Sequence, residues 1–467
     1  MKLTGFLFAA ALLGACTQPA AEENYTRHVD PKIGTGGHGH VFVGANVPFG
    51  LVQVGPTSIP QTWDWCSGYH ASDSTVIGFS HTHLSGTGIG DLFDVTVMPV
   101  TGDVTYARGE EADPVSGLWS YADRTQEIAR PGYYSVPLTR YGIRAELTAT
   151  ARVGLHRYTF PASDAAAVVF DLENGGCWDK ATETHLAKEG DRTVTGWRHS
   201  TGWAKDQRVY FAAEFSKPFE KFETIGDNYA RASFRTTDGE QVSLKVALSP
   251  VSVEGAKANL AAELPGWDFD ATAAAADKAW NDELSKVKIE TEDETSKRIF
   301  YTALYHTMVA PSLFCDVNGD YRGADGKVHE NPGRDTYTTF SLWDTYRAAM
   351  PLMTVLHPEK MADIVQTMLT ISDEQGRLPV WHLWGNETDC MVGNPGIVAV
   401  ADAIVKGIGG FDREKAFEAI RKTAMNPDRG NGLRMEYGYI PCEMFNEAVA
   451  YDMELSLIHI SEPTRRS

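Results

Sequence analysis

Histidine, glycine and tryptophan crowd into one stretch near the start of the chain. Residues 34–94 hold five of the 14 histidines, His38, His40, His70, His81 and His83, with Gly34, Gly36, Gly37, Gly39, Gly44 and Gly50 among them. A run such as Gly36-Gly37-His38-Gly39-His40 suits neither a strand nor a helix interior, so it reads as a loop whose backbone comes close to something. Trp63, Trp65 and Tyr69 alternate with Asp64 and His70, which sets stacking faces beside hydrogen-bonding groups. A second polar, glycine-rich loop follows at 78–88. In a strand, His81 and His83 at i, i+2 would share one face. That is a metal-ligand spacing, but no carboxylate cluster of ligand spacing completes a set, so loop ordering through hydrogen bonds is the stronger reading.

A second group lies in the C-terminal half. Trp343, Asp344 and Arg347 stand where a helix begins, and residues 377–391 pack Trp381, His382, Trp384, Glu387 and Asp389 into fifteen positions. Trp343 and Asp344 are expected to touch ligand, and Trp381 and Glu387 to stand at the rim or behind it. The competing roles are core packing for the two tryptophans and a helix-start charge for Asp344. No nucleophile elbow, Walker loop or complete dinucleotide fingerprint occurs in a suitable context.

Two blocks must position these residues. From about Thr26 to Val253 the pattern alternates, as at Ile143, Ala145, Leu147 and Ala149, or Val242, Leu244, Val246 and Leu248. Turn residues punctuate it, which predicts an antiparallel β-sandwich. Near Pro265 the period changes. Helices are expected at 270–284, 296–309, 342–356, 361–372, 396–408, 412–425 and 441–454, joined by short polar loops as in a helical toroid or bundle. The 467 residues carry a net charge of −20, with 42 Lys plus Arg against 62 Asp plus Glu, which argues against nucleic acid as a partner. No CxxC pair suggests zinc.

The chain starts with Lys2 and a short apolar run that ends Leu13-Gly14-Ala15-Cys16, the pattern of a bacterial lipoprotein signal with Cys16 as the lipidated first mature residue. This predicts export and a membrane attachment through lipid, on the periplasmic or cell-surface side of the outer membrane. Residues 455–467 break the preceding pattern and resemble a translated sequencing-library adapter. They are expected to be non-native, with the natural protein continuing further. The expected organisation is signal peptide 1–16, tether 17–25, β-sandwich 26–262, partial helical barrel 263–454 and non-native tail 455–467.

Three motifs then carry a resemblance. These are Asp30-Pro31-Lys32-Ile33-Gly34-Thr35-Gly36-Gly37-His38-Gly39-His40, Cys66-Ser67-Gly68-Tyr69-His70 and the run from Gly78 to Gly88. With Ser341-Leu342-Trp343-Asp344-Thr345-Tyr346-Arg347, Gly376-Arg377-Leu378-Pro379 and Gly438-Tyr439-Ile440-Pro441, they make the chain resemble glycoside hydrolase family 92 from about Asn24 to Glu454. The resemblance implies an N-terminal β-sandwich joined to an (α/α)6 barrel, here incomplete. It implies an exo-acting, calcium-dependent, inverting α-mannosidase acting on mannose-containing glycans. It further implies that Trp343 and Asp344 hold mannose, and that Trp63 or Trp65 and the 37–42 loop, with His38 and Phe42, frame it from the sandwich side. In the family the general acid, the general base and the main calcium ligands lie further toward the C-terminus, so none is assigned to a residue of this chain. The fragment is then expected to be inactive. The alternative is a complete, non-catalytic glycan-binding lipoprotein.

Overall fold

In the computed structural model the described residues are 23–460, except Pro114 and Pro332, with side chains described through Glu454. Cys16 and residues 461–467 lie outside them.

The N-terminal half is two stacked antiparallel sheets. One has six strands, in the order Gly55–Thr57, Gly78–Ser80, Thr96–Thr101, Ser163–Asp171, Tyr229–Thr236 and Lys221–Ile225. The other has eight, in the order Lys180–Glu189, Thr193–Thr201, Gln207–Phe215, Glu240–Ser249, Val153–Phe160, Ile143–Ala149, Tyr133–Leu138 and Ile128–Arg130. The alternation read from sequence turns inward as expected: Val242, Leu244, Val246 and Leu248 are fully buried, as are Ala145, Leu147 and Ala149. Val168 and Phe170 meet them from the central strand of the other sheet.

Helices follow. Ser252 caps Val253–Glu263 by accepting from the Gly255 N–H at 3.0 Å, and this helix lies against the eight-stranded sheet. Asp268 caps Phe269–Leu284, which buries Phe269, Ala273, Ala276, Trp280 and Leu284 at helical spacing. That helix rests on the sandwich at Gly132, where a Cβ would stand 2.7 Å from the Ala276 methyl and the backbone φ is +74°. Glu294–His306, Pro358–Gln375, Pro395–Val405 and Arg413–Ala424 build the helical domain, with Gly376 ending one helix at φ +95°.

The expected helix 342–356 is instead two, Leu342–Thr345 and Ala349–Leu356. Pro351 accounts for the break. In a continuous helix its ring would strike the carbonyl of Arg347, whereas in the first turn of a new helix it is tolerated. The last helix begins at Ala448 rather than near Pro441, after Glu447 adopts φ +59°, and its backbone is helical to Ile460. Among the described residues no helix is long and apolar enough to cross a membrane.

The two halves are joined by specific contacts. The Trp280 indole donates to the Asn46 carbonyl at 2.7 Å, and Phe49 exchanges backbone bonds with Met308 and Leu313. Arg152 pairs with Glu263 at 2.8 Å and reaches the Cys315 carbonyl.

Candidate active site

Three sandwich loops are stitched into one surface. The His40 carbonyl accepts from Ser67 Oγ and from the Gly86 N–H, both at 2.6 Å. Gly37 O meets His70 Nε2 at 3.1 Å, and the Ala71 N–H reaches Thr35 O at 2.9 Å. The glycines permit this. A Cβ on Gly39 would stand 2.0 Å from Gly34 O.

The expected contact residues divide by exposure. Trp63 is 59% exposed and rests on Gly88, where a Cβ would meet its ring at 2.6 Å. Its indole N–H donates to His40 Nε2 at 3.1 Å. That bond fixes His40 as the Nδ1–H tautomer, and this buried N–H has no partner. Burial also lowers the His40 pKa, which favours the neutral ring. Trp65 is half-buried, stacked on His70 at 4.2 Å and tied through its indole to Asp73 at 2.6 Å. The His38 side chain is 95% exposed, with Nδ1 3.1 Å from Asp64. Phe42 is a correction. Its ring is 1% exposed, packed on His83 at 5.0 Å, so it supports the loop from beneath and presents no face to a ligand.

His81 and His83 order the interior. Tyr158 O–H bonds His156 Nδ1 at 2.7 Å, His156 Nε2 meets His81 Nε2 at 2.9 Å, and His81 Nδ1 meets Val95 O. This chain runs in one direction only if both rings are neutral, with His156 donating to His81. His83 Nδ1 bonds the Gln53 carbonyl at 2.8 Å. Burial pushes His81 down to about 3 and His83 down to about 4.

On the helical side a small three-stranded sheet, Phe340–Ser341, Trp381–Leu383 and Asn386–Glu387, launches the short helix that carries Trp343 and Asp344. Asp344 is exposed and accepts from Ser341 Oγ at 2.5 Å. Trp343 is half-buried under the Arg347 guanidinium, 4.7 Å from the ring centre, and its buried indole N–H has no partner among the described residues. The neighbouring carboxylates are engaged. Asp389 is paired with Arg377 and Arg429, and Glu454 with Arg347 at 2.9 Å. Among the described residues Asp344 has no ion-pair partner.

Glu387 and Trp381 are structural. Glu387 accepts from the backbone N–H groups of Val380 at 2.8 Å, Trp381 at 2.9 Å and Asp389 at 3.0 Å. Trp381 is buried against Trp203 of the sandwich, ring centres 4.4 Å apart. His382 is buried, and its pKa is pushed down to about 3. Trp203 and Asp206, which the sequence pattern did not single out, form the bridge between the halves. Asp206 exchanges bonds with Asn386 and pairs with Arg322 at 2.6 Å. Among the described residues no hydrogen bond or ring contact joins Trp63 or Trp65 directly to Trp343 or Asp344. Trp203 joins the sandwich to the small sheet that launches the Trp343 helix.

Among the described residues no group of three or more His, Cys, Asp or Glu side chains could hold a metal ion.

Residues 28–249 match the family model for the glycosyl hydrolase family 92 N-terminal domain, and residues 255–460 match that for the family 92 catalytic domain. The chain belongs to glycoside hydrolase family 92. A family 92 alpha-mannosidase from Bacteroides thetaiotaomicron, solved in complex with mannoimidazole, is 37% identical with a TM-score of 0.89, covering 93% of this chain and 60% of that one. An inverting family 92 mannosidase from the same species is 28% identical with a TM-score of 0.82, covering 93% of this chain and 61% of that one. An uncharacterized secreted glycosidase of Arthroderma benhamiae is 26% identical over 474 residues, 91% of this chain and 56% of that protein. The chain thus spans little more than half the length of these relatives.

Proposed function

We propose that this chain supplies the β-sandwich and part of the helical wall of an exported exo-α-mannosidase that removes terminal mannose from glycans with inversion. The observation that carries the reading is the pair at the start of the short helix, set on a fold shared with mannosidases. Asp344 is an exposed carboxylate with no ion-pair partner among the described residues, and it stands beside the orphaned Trp343 N–H. A pyranose offers several hydroxyl donors and acceptors around an apolar ring face. Asp344 would accept from two of them, the Trp343 N–H would donate to a third, and the exposed Trp63 ring would stack on a sugar.

Hydrolysis with inversion needs a carboxylic acid on the leaving oxygen and a carboxylate that activates water, roughly 6.5–9.5 Å apart. Asp389 and Glu454 are locked in ion pairs, and Glu387 is consumed by backbone N–H groups. We therefore assign the acid, the base and any calcium ligands to segments that the longer relatives have beyond the stretch matched here, and this chain alone does not turn over. Attachment through a lipid on Cys16 belongs to the same proposal. The test is release of mannose from α-linked mannobioses by the purified 467-residue chain. No release is expected; release that a substitution of Asp344 abolishes would show that the chain already holds its own catalytic pair.

A further inference from the structure

Three buried carboxyl groups surround one guanidinium where the sandwich loops meet the Trp203 bridge. Asp91, Asp94, Asp179 and Arg198 are all buried. Arg198 donates to Asp94 at 2.7 Å, to Asp179, and to the Leu172 carbonyl at 2.8 Å. One cation cannot balance three ionised carboxylates away from water. Leu92, Phe93 and Val95, which flank Asp94, are held at φ +72°, +67° and +52°, so the packing around this cluster overrides a backbone that bulky side chains avoid.

The supply of donors separates the three acids. Asp94 receives Arg198, Thr82 Oγ1 at 2.7 Å and the Gln207 amide. Asp179 receives Arg198 and Ser200 Oγ at 2.8 Å. Among the described residues Asp91 receives only the Ala204 N–H, at 2.9 Å on Oδ2. Its Oδ1 is buried with no donor, pressed toward Gly202, where a Cβ would stand 2.5 Å away. Gly202 brings Asp91 and Asp179 together, since a Cβ there would stand 2.5 Å from Asp91 Oδ1 and 3.1 Å from the Asp179 Cα. Two carboxylates in that relation repel unless one carries a proton, and Asp91 is the acid whose oxygen lacks any other partner.

We propose that Asp91 is a positioning residue, held as the neutral acid, whose proton bonds Asp179 and thereby fixes the Trp203 bridge against the helical domain. The path is short. Asp91 holds the Ala204 N–H, Trp203 packs at a tilt on Trp381, and Asp206 grips Asn386 and Arg322. The other groups around the pair are Asp94 on the same loop, Cys177 beside Gly90, Arg198 and Ser200 on Thr193–Thr201, Gln207 on the next strand, the buried Asp171 near Arg198, and Arg108, Glu173 and Lys180, which line a cavity with Asp179.

Burial and the Asp179 charge push the Asp91 carboxyl up from its ordinary 3.8 to about 7. The folded protein therefore binds this proton more tightly than the unfolded chain does. The stability it contributes is complete below about pH 4 and is lost as pH rises through about 7. Asp91→Asn keeps a donor toward Asp179 but cannot ionise. The experiment is the melting temperature of wild type and Asp91→Asn between pH 4 and 8. Wild type should lose melting temperature relative to the variant progressively between about pH 4 and 7, by roughly 5–10 °C in all, and run parallel to it above pH 7. Parallel curves would overturn the proposal. A second readout is the infrared carbonyl band of a protonated, buried carboxyl group in the difference between wild type and Asp91→Asn, which should be present at pH 6 and gone at pH 8; the difference removes the band of Asp316, whose carboxyl burial pushes up to about 6. Absence of that band at pH 6 would overturn the proposal equally.

Discussion

Glu387 offers the sharpest separation between a group that shapes the site and one that reacts in it. Its carboxylate accepts three backbone N–H bonds, from Val380, Trp381 and Asp389. Val380 and Trp381 are fully buried, so their N–H groups cannot find water when the acceptor is removed. Each stranded donor costs about 1–3 kcal/mol, and the more exposed Asp389 N–H costs less. Glu387→Ala should therefore destabilise by roughly 3–4 kcal/mol. For a helical domain of this size that is a fall of roughly 6–16 °C in its melting transition. Glu387→Gln keeps one acceptor oxygen and should lose about half as much. The assay is differential scanning calorimetry of the three proteins, with methyl α-mannoside binding measured alongside. A Glu387→Ala protein that melts within about 1 °C of wild type but no longer binds sugar would refute the structural assignment and return Glu387 to the ligand surface.

Other outcomes follow from the same geometry. Asp344→Ala removes an exposed carboxylate that among the described residues bonds only Ser341, so its melting temperature should stay within about 1 °C of wild type, while mannoside affinity drops by about ten- to a hundred-fold by titration. His83 is held neutral by burial, with its pKa pushed down to about 4, so its contribution is present above about pH 6.5 and lost as pH falls toward 4. His83→Asn should then lose less melting temperature than wild type between pH 6.5 and 4; identical slopes would contradict the assignment. Mass spectrometry of the mature protein expressed in a lipoprotein-processing bacterium should find an acylated peptide beginning at Cys16, and an unmodified peptide beginning at Thr17 or later would exclude the anchor.

The parts of the fold legible in the sequence are those where one local rule acts alone. The alternation at Ile143–Ala149 and Glu240–Ser249 reports a half-buried sheet directly, and Asp412 announces its helix by accepting from Glu414 and Lys415. The Val253–Glu263 helix was hidden because its Ala- and Glu-rich sequence carries little apolar periodicity and only Asn259 and Ala256 are buried. The split after Thr345 was signalled by Pro351 but outweighed by the apolar run around it. At the site, Trp63 and Asp344 have the exposure their expected roles need, whereas Phe42 looked like a loop aromatic and is core, because the glycines at 44 and 55 let the backbone close over its ring. Asp91, Asp179 and Trp203 gave no sequence signal. Their partners are far away in the chain, 113 residues in the case of Asp91 and Ala204, and only the stacking of loops brings them together.

The central claim is that the Trp343–Asp344 corner recognises terminal mannose. Saturation-transfer NMR of methyl α-mannoside on the purified chain tests it most directly, with methyl α-glucoside and the Trp343→Ala variant as references. Transfer to the mannoside that exceeds transfer to the glucoside and disappears in Trp343→Ala is the expected result. Equal transfer in wild type and Trp343→Ala would contradict the claim.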